Sequence, residues 1–126
     1  MNKYVFDTNF IISFLNKKDD NYKKAMKMSK SLNEEYIIIP SVVISEIASF
    51  HKNPQLRNYI LGETLNFTDE IFSLTDSNIV EYLDFIQRLN NSFTAIDSII
   101  LYSAISTNSK LVTFDKKLDN LYKSMI

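Results

Sequence analysis

The sequence has no cysteine, which excludes disulfides, thiolate metal sites and a cysteine nucleophile together. Gly62 is its one glycine. A phosphate-cradling Walker loop, a GxGxxG dinucleotide turn and a GxSxG nucleophile elbow all need more than that. His51 is the one histidine, so a single subunit cannot supply a two-histidine acid–base pair, and nothing around His51 suggests a Ser-His-Asp triad. No apolar run approaches the roughly 18–20 residues of a membrane span. The chain enters a strand-like segment almost at once, and no signal or transit peptide is expected. A reducing cytoplasm is the natural compartment. The net charge of −1 gives no general attraction to nucleic acid, so any such partner must be drawn by a local lysine-rich face. Carboxylates, hydroxyls, amides and lysines are the chemistry that remains.

What is present is a folded protein's composition, 45% hydrophobic and 13% aromatic over 126 residues, enough for one domain over residues 1–126. The pattern predicts a buried strand at Lys3 to Phe6, then a short helix to about Asn16 and a charged turn at Lys17 to Asp20. A helix follows from about Asn21 to Asn33, with Lys23, Lys27 and Lys30 along one side. Tyr36 to Ile39 reads as a second strand stopped by Pro40, and Ser41 as the N-cap of a helix to about Phe50. Asn53-Pro54 opens a helix that Gly62 is expected to help end. Ile71 to Leu74 is a third strand, and Asp76 or Ser77 caps a helix to about Leu89 with Ile79, Leu83 and Ile86 inward. Thr94 opens the apolar helix AIDSIILYSAIS, stopped by Asn108 in a left-handed turn. Lys110 to Thr113 is a fourth strand, and Asp115 starts a last helical turn or two. Apolar strands separated by helices indicate a parallel α/β sandwich. In such sheets ligands sit beyond the carboxyl ends of the strands. Asp7 follows the first strand and Asp115 the fourth.

Each acid also has a local explanation. Asp7 can cap the helix after it. Glu46, in SVVISEIASF, can face solvent on an amphipathic helix. Asp97 stands three residues after Thr94, the spacing of a capping box, and Asp115 can cap the last helix. The four together carry more than any one, because all occur at strand ends or in helices that begin at one edge of the sheet. Carboxylates about 4–6 Å apart repel by roughly 4 kcal/mol per pair at an effective dielectric near 20. A cluster of that kind needs cations or raised pKa values. An all-oxygen donor set points to Mg²⁺ or Mn²⁺.

With these residues in view, the chain resembles the PIN domains, most of all the compact VapC-type ribonuclease toxins of bacterial and archaeal toxin–antitoxin pairs. The resemblance is carried by VFDTNFII, PSVVISEIASF, FTAIDSIILYSAI and KLVTFDKKL. It implies a three-layer α/β/α sandwich on a parallel sheet of four to five strands, and cleavage of RNA that leaves a 5′-phosphate and a 3′-hydroxyl. Asp7, Glu46, Asp97 and Asp115 become the catalytic, metal-binding acids around one or two Mg²⁺ or Mn²⁺ ions. Asp7 and Asp97 hold the principal metal, Glu46 holds a ligand water or helps to activate the nucleophile, and Asp115 completes the site or binds a second ion. Asn9 and Thr113 support the carboxylates from behind, and Thr8 belongs to the turn that aims Asp7. Asn108 stands where many relatives have glycine. With eleven residues after Asp115, the usual fifth strand is expected to be very short or absent.

Lys116 and Lys117, with Lys17, Lys18, Lys23 and Lys27, are the candidates for meeting RNA phosphates. Phe10, Phe14, Tyr22 and Phe50 read as core or subunit interface, and His51 as a helix-end residue without a catalytic part. The resemblance further implies a homodimer and a small antitoxin. The antitoxin's surface is expected on the helical hairpin from Ile44 to Leu61, at Phe50, Tyr59 and Ile60. Two alternatives stay open: a PIN nuclease of RNA processing without an antitoxin, and a non-catalytic PIN-like binding module. A phosphoacceptor receiver domain is disfavoured, because adjacent acids after the first strand and a lysine after the last are both missing.

Overall fold

A computed structural model describes residues 2–50, 52–89 and 93–126. The expectation for His51 therefore lies outside the described residues. Four strands, β1 (Lys3–Phe6), β2 (Tyr36–Pro40), β3 (Glu70–Phe72) and β4 (Lys110–Val112), form one sheet in the order β3-β2-β1-β4. Every pairing is parallel, with Val5 opposite Ile38 on one side and Leu111 on the other. Tyr-Ile-Ile-Ile and Tyr-Val-Phe suit the two central strands because β-branched and aromatic side chains pack well on a pleated surface buried on both faces.

Seven helices among the described residues surround the sheet: α1 (Thr8–Leu15), α2 (Tyr22–Lys30), α3 (Ser41–Ser49), α4 (Pro54–Phe67), α5 (Ile79–Gln87), α6 (Ala95–Ser106) and α7 (Lys116–Ser124). Phe6 anchors one face, where its ring meets Phe10 and Phe14 of α1 and Phe67 of α4. On the other, Tyr102 of α6 gathers Phe72, Tyr82 and Phe85 within 5.8 Å of its ring. Val5, Ile39, Ile100, Leu101 and Leu118 are fully buried between these groups. Each such side chain contributes roughly 1.5–3 kcal/mol on burial. The result is the expected three-layer architecture with four strands. No fifth strand forms among the described residues.

Several local expectations are corrected. Gly62 does not end its helix: α4 runs through it to Phe67, and a side chain there would meet nothing within 4 Å. A mid-helix glycine costs only about 1 kcal/mol relative to alanine. The helix stops instead at Thr68, after which Asp69 N–H donates to Ile37 O at 2.9 Å and joins the sheet. Ser41 is the first residue of α3, not its cap, because Pro40 already holds the extended backbone that precedes the helix. β3 begins at Glu70, earlier than expected. Asn78 is the N-cap residue of α5, and its side chain ties back to Thr75 N and Ser73 O rather than into the helix. Tyr82 and Phe85 face the core from α5, whereas Ile79 and Leu83 are exposed. The final helix has nine residues, more than two turns, because Leu118 and Tyr122 both bury against the core. Asn108 takes the left-handed stop, with φ of 55°.

Candidate active site

The site begins with the backbone. Asp7 N–H donates to Val112 O at 3.0 Å, extending the β1–β4 ladder by one residue and fixing Asp7 at the carboxyl edge of the sheet. The next residue starts α1. Asp7 is its N-cap, and Oδ1 accepts from Thr8 N–H at 2.7 Å. Only 5% of Asp7 is exposed.

Its second oxygen is held by two side chains from opposite ends of the sequence. Thr113 Oγ1 donates to Asp7 Oδ2 at 2.6 Å, and Asn9 Nδ2 donates to the same oxygen at 3.1 Å. Thr113 Oγ1 in turn accepts from Asp115 N–H at 3.0 Å. Asn9 Oδ1 accepts from Phe114 N–H at 3.0 Å. Asn9 and Thr113 thus lock the turn after β4 to the turn after β1, and orient the buried carboxylate between them.

The other three acids come from separate elements. Glu46 projects from α3, and Thr8 Oγ1 donates to its Oε1. Asp97 lies in the first turn of α6, where its N–H donates to Thr94 Oγ1 at 3.1 Å. Asp115 is the N-cap of α7 and accepts from Leu118 N–H at 3.1 Å. Asp7 and Asp115 are realised as caps, Asp97 makes the Thr94 half of a capping box, and Glu46 is partly buried instead of fully solvated.

The electrostatics join them. Asp7 is pushed up from 3.8 to about 6, chiefly by burial and further by the charges of Asp97 and Glu46, against the lowering hydrogen bonds from Thr113 and Thr8. Asp97 is also raised, by burial and then by Asp115, with Thr94 and the ammonium of Lys117 opposing. The four acids therefore form a chain of mutual repulsion, running from Glu46 through Asp7 to Asp97 and Asp115. Among the described residues no set of three or more acid, histidine or cysteine side chains stands in position to hold a metal ion. Each acid instead lies against a neighbouring threonine or helix N–H.

The chemistry of the donors nevertheless fits a hard cation. Mg²⁺ keeps several of its waters and is commonly bound through one or two carboxylates, not an all-protein cage. Asp7 and Asp97 meet that requirement, and a cation beside them would offset the burial and the neighbouring charges that hold both carboxyls up.

Thr113→Val should move Asp7 further up and move the acid limb of any Asp7-dependent activity with it, since a lowering hydrogen bond is lost. It should also cost roughly 1–3 kcal/mol of stability, because Asp115 N–H and Asp7 Oδ2 both lose a partner. A carboxyl titration and urea unfolding of the variant read the two effects.

The lysines divide. Lys116 and Lys117 are exposed in the first turn of α7, beside Asp115. Lys17 and Lys18 follow the far end of α1, about 12 Å along the helix from Asp7 at 1.5 Å per residue. They stand there with Asn53, Leu56 and Tyr59, away from the acids. An open groove of about 670 Å³, with Ile12, Val42, Phe50 and Ile96 in its walls, runs beside Thr8 and Glu46. On the α3–α4 hairpin Tyr59 is 52% exposed, but Ile60 is fully buried and cannot belong to a surface there. Sequence reasoning missed two lysine–aromatic contacts near the acids. Lys24 Nζ lies 5.5 Å from the Phe114 ring centre, and Lys117 Nζ lies 4.7 Å from that of Phe93.

Comparison with known proteins follows the same lines. The family model for the PIN domain matches residues 4–124. Among solved structures, VapC20 of Mycobacterium tuberculosis, a sarcin-ricin loop cleaving toxin, superposes with a TM-score of 0.77 at 12% identity, covering 94% of each chain. VapBC2 of Rickettsia felis, bound to a DNA fragment from its promoter, gives 0.69 at 22% identity over 94% of this chain and 92% of that one. FitAcB of Neisseria gonorrhoeae gives 0.68 at 17% identity over 95% and 93%. At these identities the likeness is one of fold. No curated protein sequence matches the chain.

Proposed function

This chain belongs to the PIN-domain family, and from that premise we propose that it is a metal-dependent endoribonuclease, the toxin of a toxin–antitoxin pair. The observation that carries the reading is the placement of Asp7. A carboxylate only 5% exposed sits at the carboxyl edge of a parallel sheet, oriented by Thr113, Asn9 and Thr8 N–H and facing the charges of Asp97 and Glu46. A purely structural cap does not need to be buried among other acids.

In this reading Asp7 and Asp97 hold Mg²⁺ or Mn²⁺, and Asp115 completes the binding of that ion or of a second. The bound metal would supply an acidified water and neutralise charge on the phosphate. Glu46, held by the Thr8 hydroxyl, orients the attacking water and takes up its proton. Asn9 and Thr113 keep Asp7 in one orientation through the reaction, as outer hydrogen bonds do for metal ligands generally. Attack in line on the phosphodiester leaves the phosphate on the 5′ side of the downstream fragment and a 3′-hydroxyl on the other.

The toxin assignment leans on fold likeness to VapC20, VapBC2 and FitAcB. It brings with it a homodimer and a small antitoxin that covers the acidic face. It also implies a cytoplasmic protein. No helix among the described residues is long and apolar enough to cross a membrane.

The decisive assay is cleavage of a cellular RNA pool with and without Mg²⁺, with the cut sites mapped. We expect Mg²⁺- or Mn²⁺-dependent cleavage, abolished by EDTA and by Asp7→Ala or Asp97→Ala in folded protein. Cleavage that persists in excess EDTA, or in both variants, contradicts the mechanism. Toxicity on expression, relieved by Asp7→Ala, separates a toxin from a nuclease of RNA processing.

A further inference from the structure

An acidic site that cuts RNA must attract a polyanion against its own charge, in a protein whose net charge is −1. The attraction has to come from cations fixed beside the acids. Lys24 of α2 is such a cation, although the sequence pattern points to its neighbours Lys23 and Lys27 instead. Its ammonium stands 5.5 Å from the centre of the Phe114 ring. Phe114 lies between Thr113 and Asp115. Its ring rests against Phe10 at 5.8 Å, and its N–H donates to Asn9, the residue that orients Asp7. The ring is thus part of the turn that builds the site, and it brings Lys24 to the rim.

Two further facts favour a ligand role over a structural one. Lys24 is exposed. Among the described residues the ion pairs are Arg88–Asp84 and Lys123–Asp119, and Lys24 belongs to neither. An aromatic face restrains a lysine without neutralising it, which leaves a charged, partly ordered ammonium facing solvent. Lys117 has a related arrangement over Phe93, but its charge already acts on Asp97. Lys24 stands over the turn that precedes Asp115.

We propose that Lys24, steadied on the Phe114 ring, binds a backbone phosphate of the RNA substrate next to the one being cut. The inference rests on the RNA-cleavage reading above and adds a residue that neither motif nor family supplies. Phe114 is its positioning residue.

The test is steady-state cleavage of a single-stranded RNA by the full chain and by Lys24→Ala, Lys24→Arg, Phe114→Leu and, as a control at the end of the same helix, Lys30→Ala. Lys24→Ala should raise KM about tenfold, the worth of one charge-assisted contact, with kcat within about twofold of the starting protein. Its dependence of log(kcat/KM) on log salt should be shallower by about 0.7, the value for one phosphate contact on a single strand. Lys24→Arg should restore most of the loss, Phe114→Leu should show part of it, and Lys30→Ala none. An unchanged KM and salt slope in Lys24→Ala, while the starting protein cleaves RNA, overturns this inference and leaves the nuclease reading standing. A fall in kcat with a lowered melting temperature also overturns it, because that is the signature of a structural lysine. If the starting protein cleaves no RNA in Mg²⁺ or Mn²⁺, the nuclease reading falls and this inference with it.

Discussion

Asp7→Asn should abolish RNA cleavage and, in metal-free buffer at neutral pH, make the protein more stable. The activity loss, at least on the order of 10²–10³, follows from removing a charged group at the reacting centre. The stability gain follows from the same burial that makes the residue useful. Asp7 rises from 3.8 to about 6 because burial and neighbouring charges disfavour its ionised form. The folded state therefore holds this proton more tightly than the unfolded chain does. That contribution is present in full below about pH 4, declines as pH rises toward 6 and is absent above. A shift of about two units corresponds to roughly 3 kcal/mol, an upper limit for the gain because asparagine must still turn its amide toward Thr113 and Asn9. We expect about 1–3 kcal/mol at pH 7.5 and none near pH 3.5, read by urea unfolding at both values. Adding Mg²⁺ should close or reverse the gap. A ligand that binds only the folded protein stabilises it by about 2.7 kcal/mol at a hundredfold excess over Kd, and only the carboxylate binds it. A variant less stable than the starting protein at pH 7.5, or equally stabilised by Mg²⁺, contradicts this account.

Phe10→Ala should cost about 3–5 kcal/mol, the range for deleting a fully buried aromatic ring. Phe10 is 0% exposed. Its ring meets Phe6 at 4.9 Å, Phe14 at 5.4 Å and Phe114 at 5.8 Å. One side chain thus packs β1, α1 and the turn after β4 together directly beneath the acids. Since domains of this size are stable by only about 5–15 kcal/mol, the loss is a large part of the total. Phe10→Leu keeps most of the volume and should cost markedly less. Urea unfolding of the two variants at pH 6.5 decides it. A loss under about 1 kcal/mol for the alanine variant would mean that the ring is not the keystone its contacts describe.

Much of the site was legible in the sequence because its local and functional requirements coincide. Asp7 and Asp115 are helix caps, and Asp97 sits in the capped first turn of α6. In a parallel sheet those helices start at the edge where ligands bind, so a cap and a ligand share one address. Asn9 and Thr113 came from the family resemblance, and both hydrogen-bond to Asp7. The interior face of α5 was not. The stretch IVEYLDFI offers two apolar stripes, and the choice of Tyr82 and Phe85 over Ile79 and Leu83 is made by Tyr102 and Phe72 on other elements. Gly62 misled for a similar reason. Its helix is held by the buried Ile60 and Thr64 on either side, and tertiary packing overrode the local preference. The contact of Lys24 with Phe114 joins α2 to the turn after β4 and leaves no trace in either segment alone.

The most direct test of the central claim, that Asp7 is a buried carboxylate built to hold a cation, is a ¹³C carboxyl titration of Asp7 with and without Mg²⁺. The account predicts a midpoint near 6 in metal-free buffer and a shift of at least about one unit downward at saturating Mg²⁺. A midpoint near the ordinary aspartate value of about 4, unmoved by Mg²⁺, would contradict it.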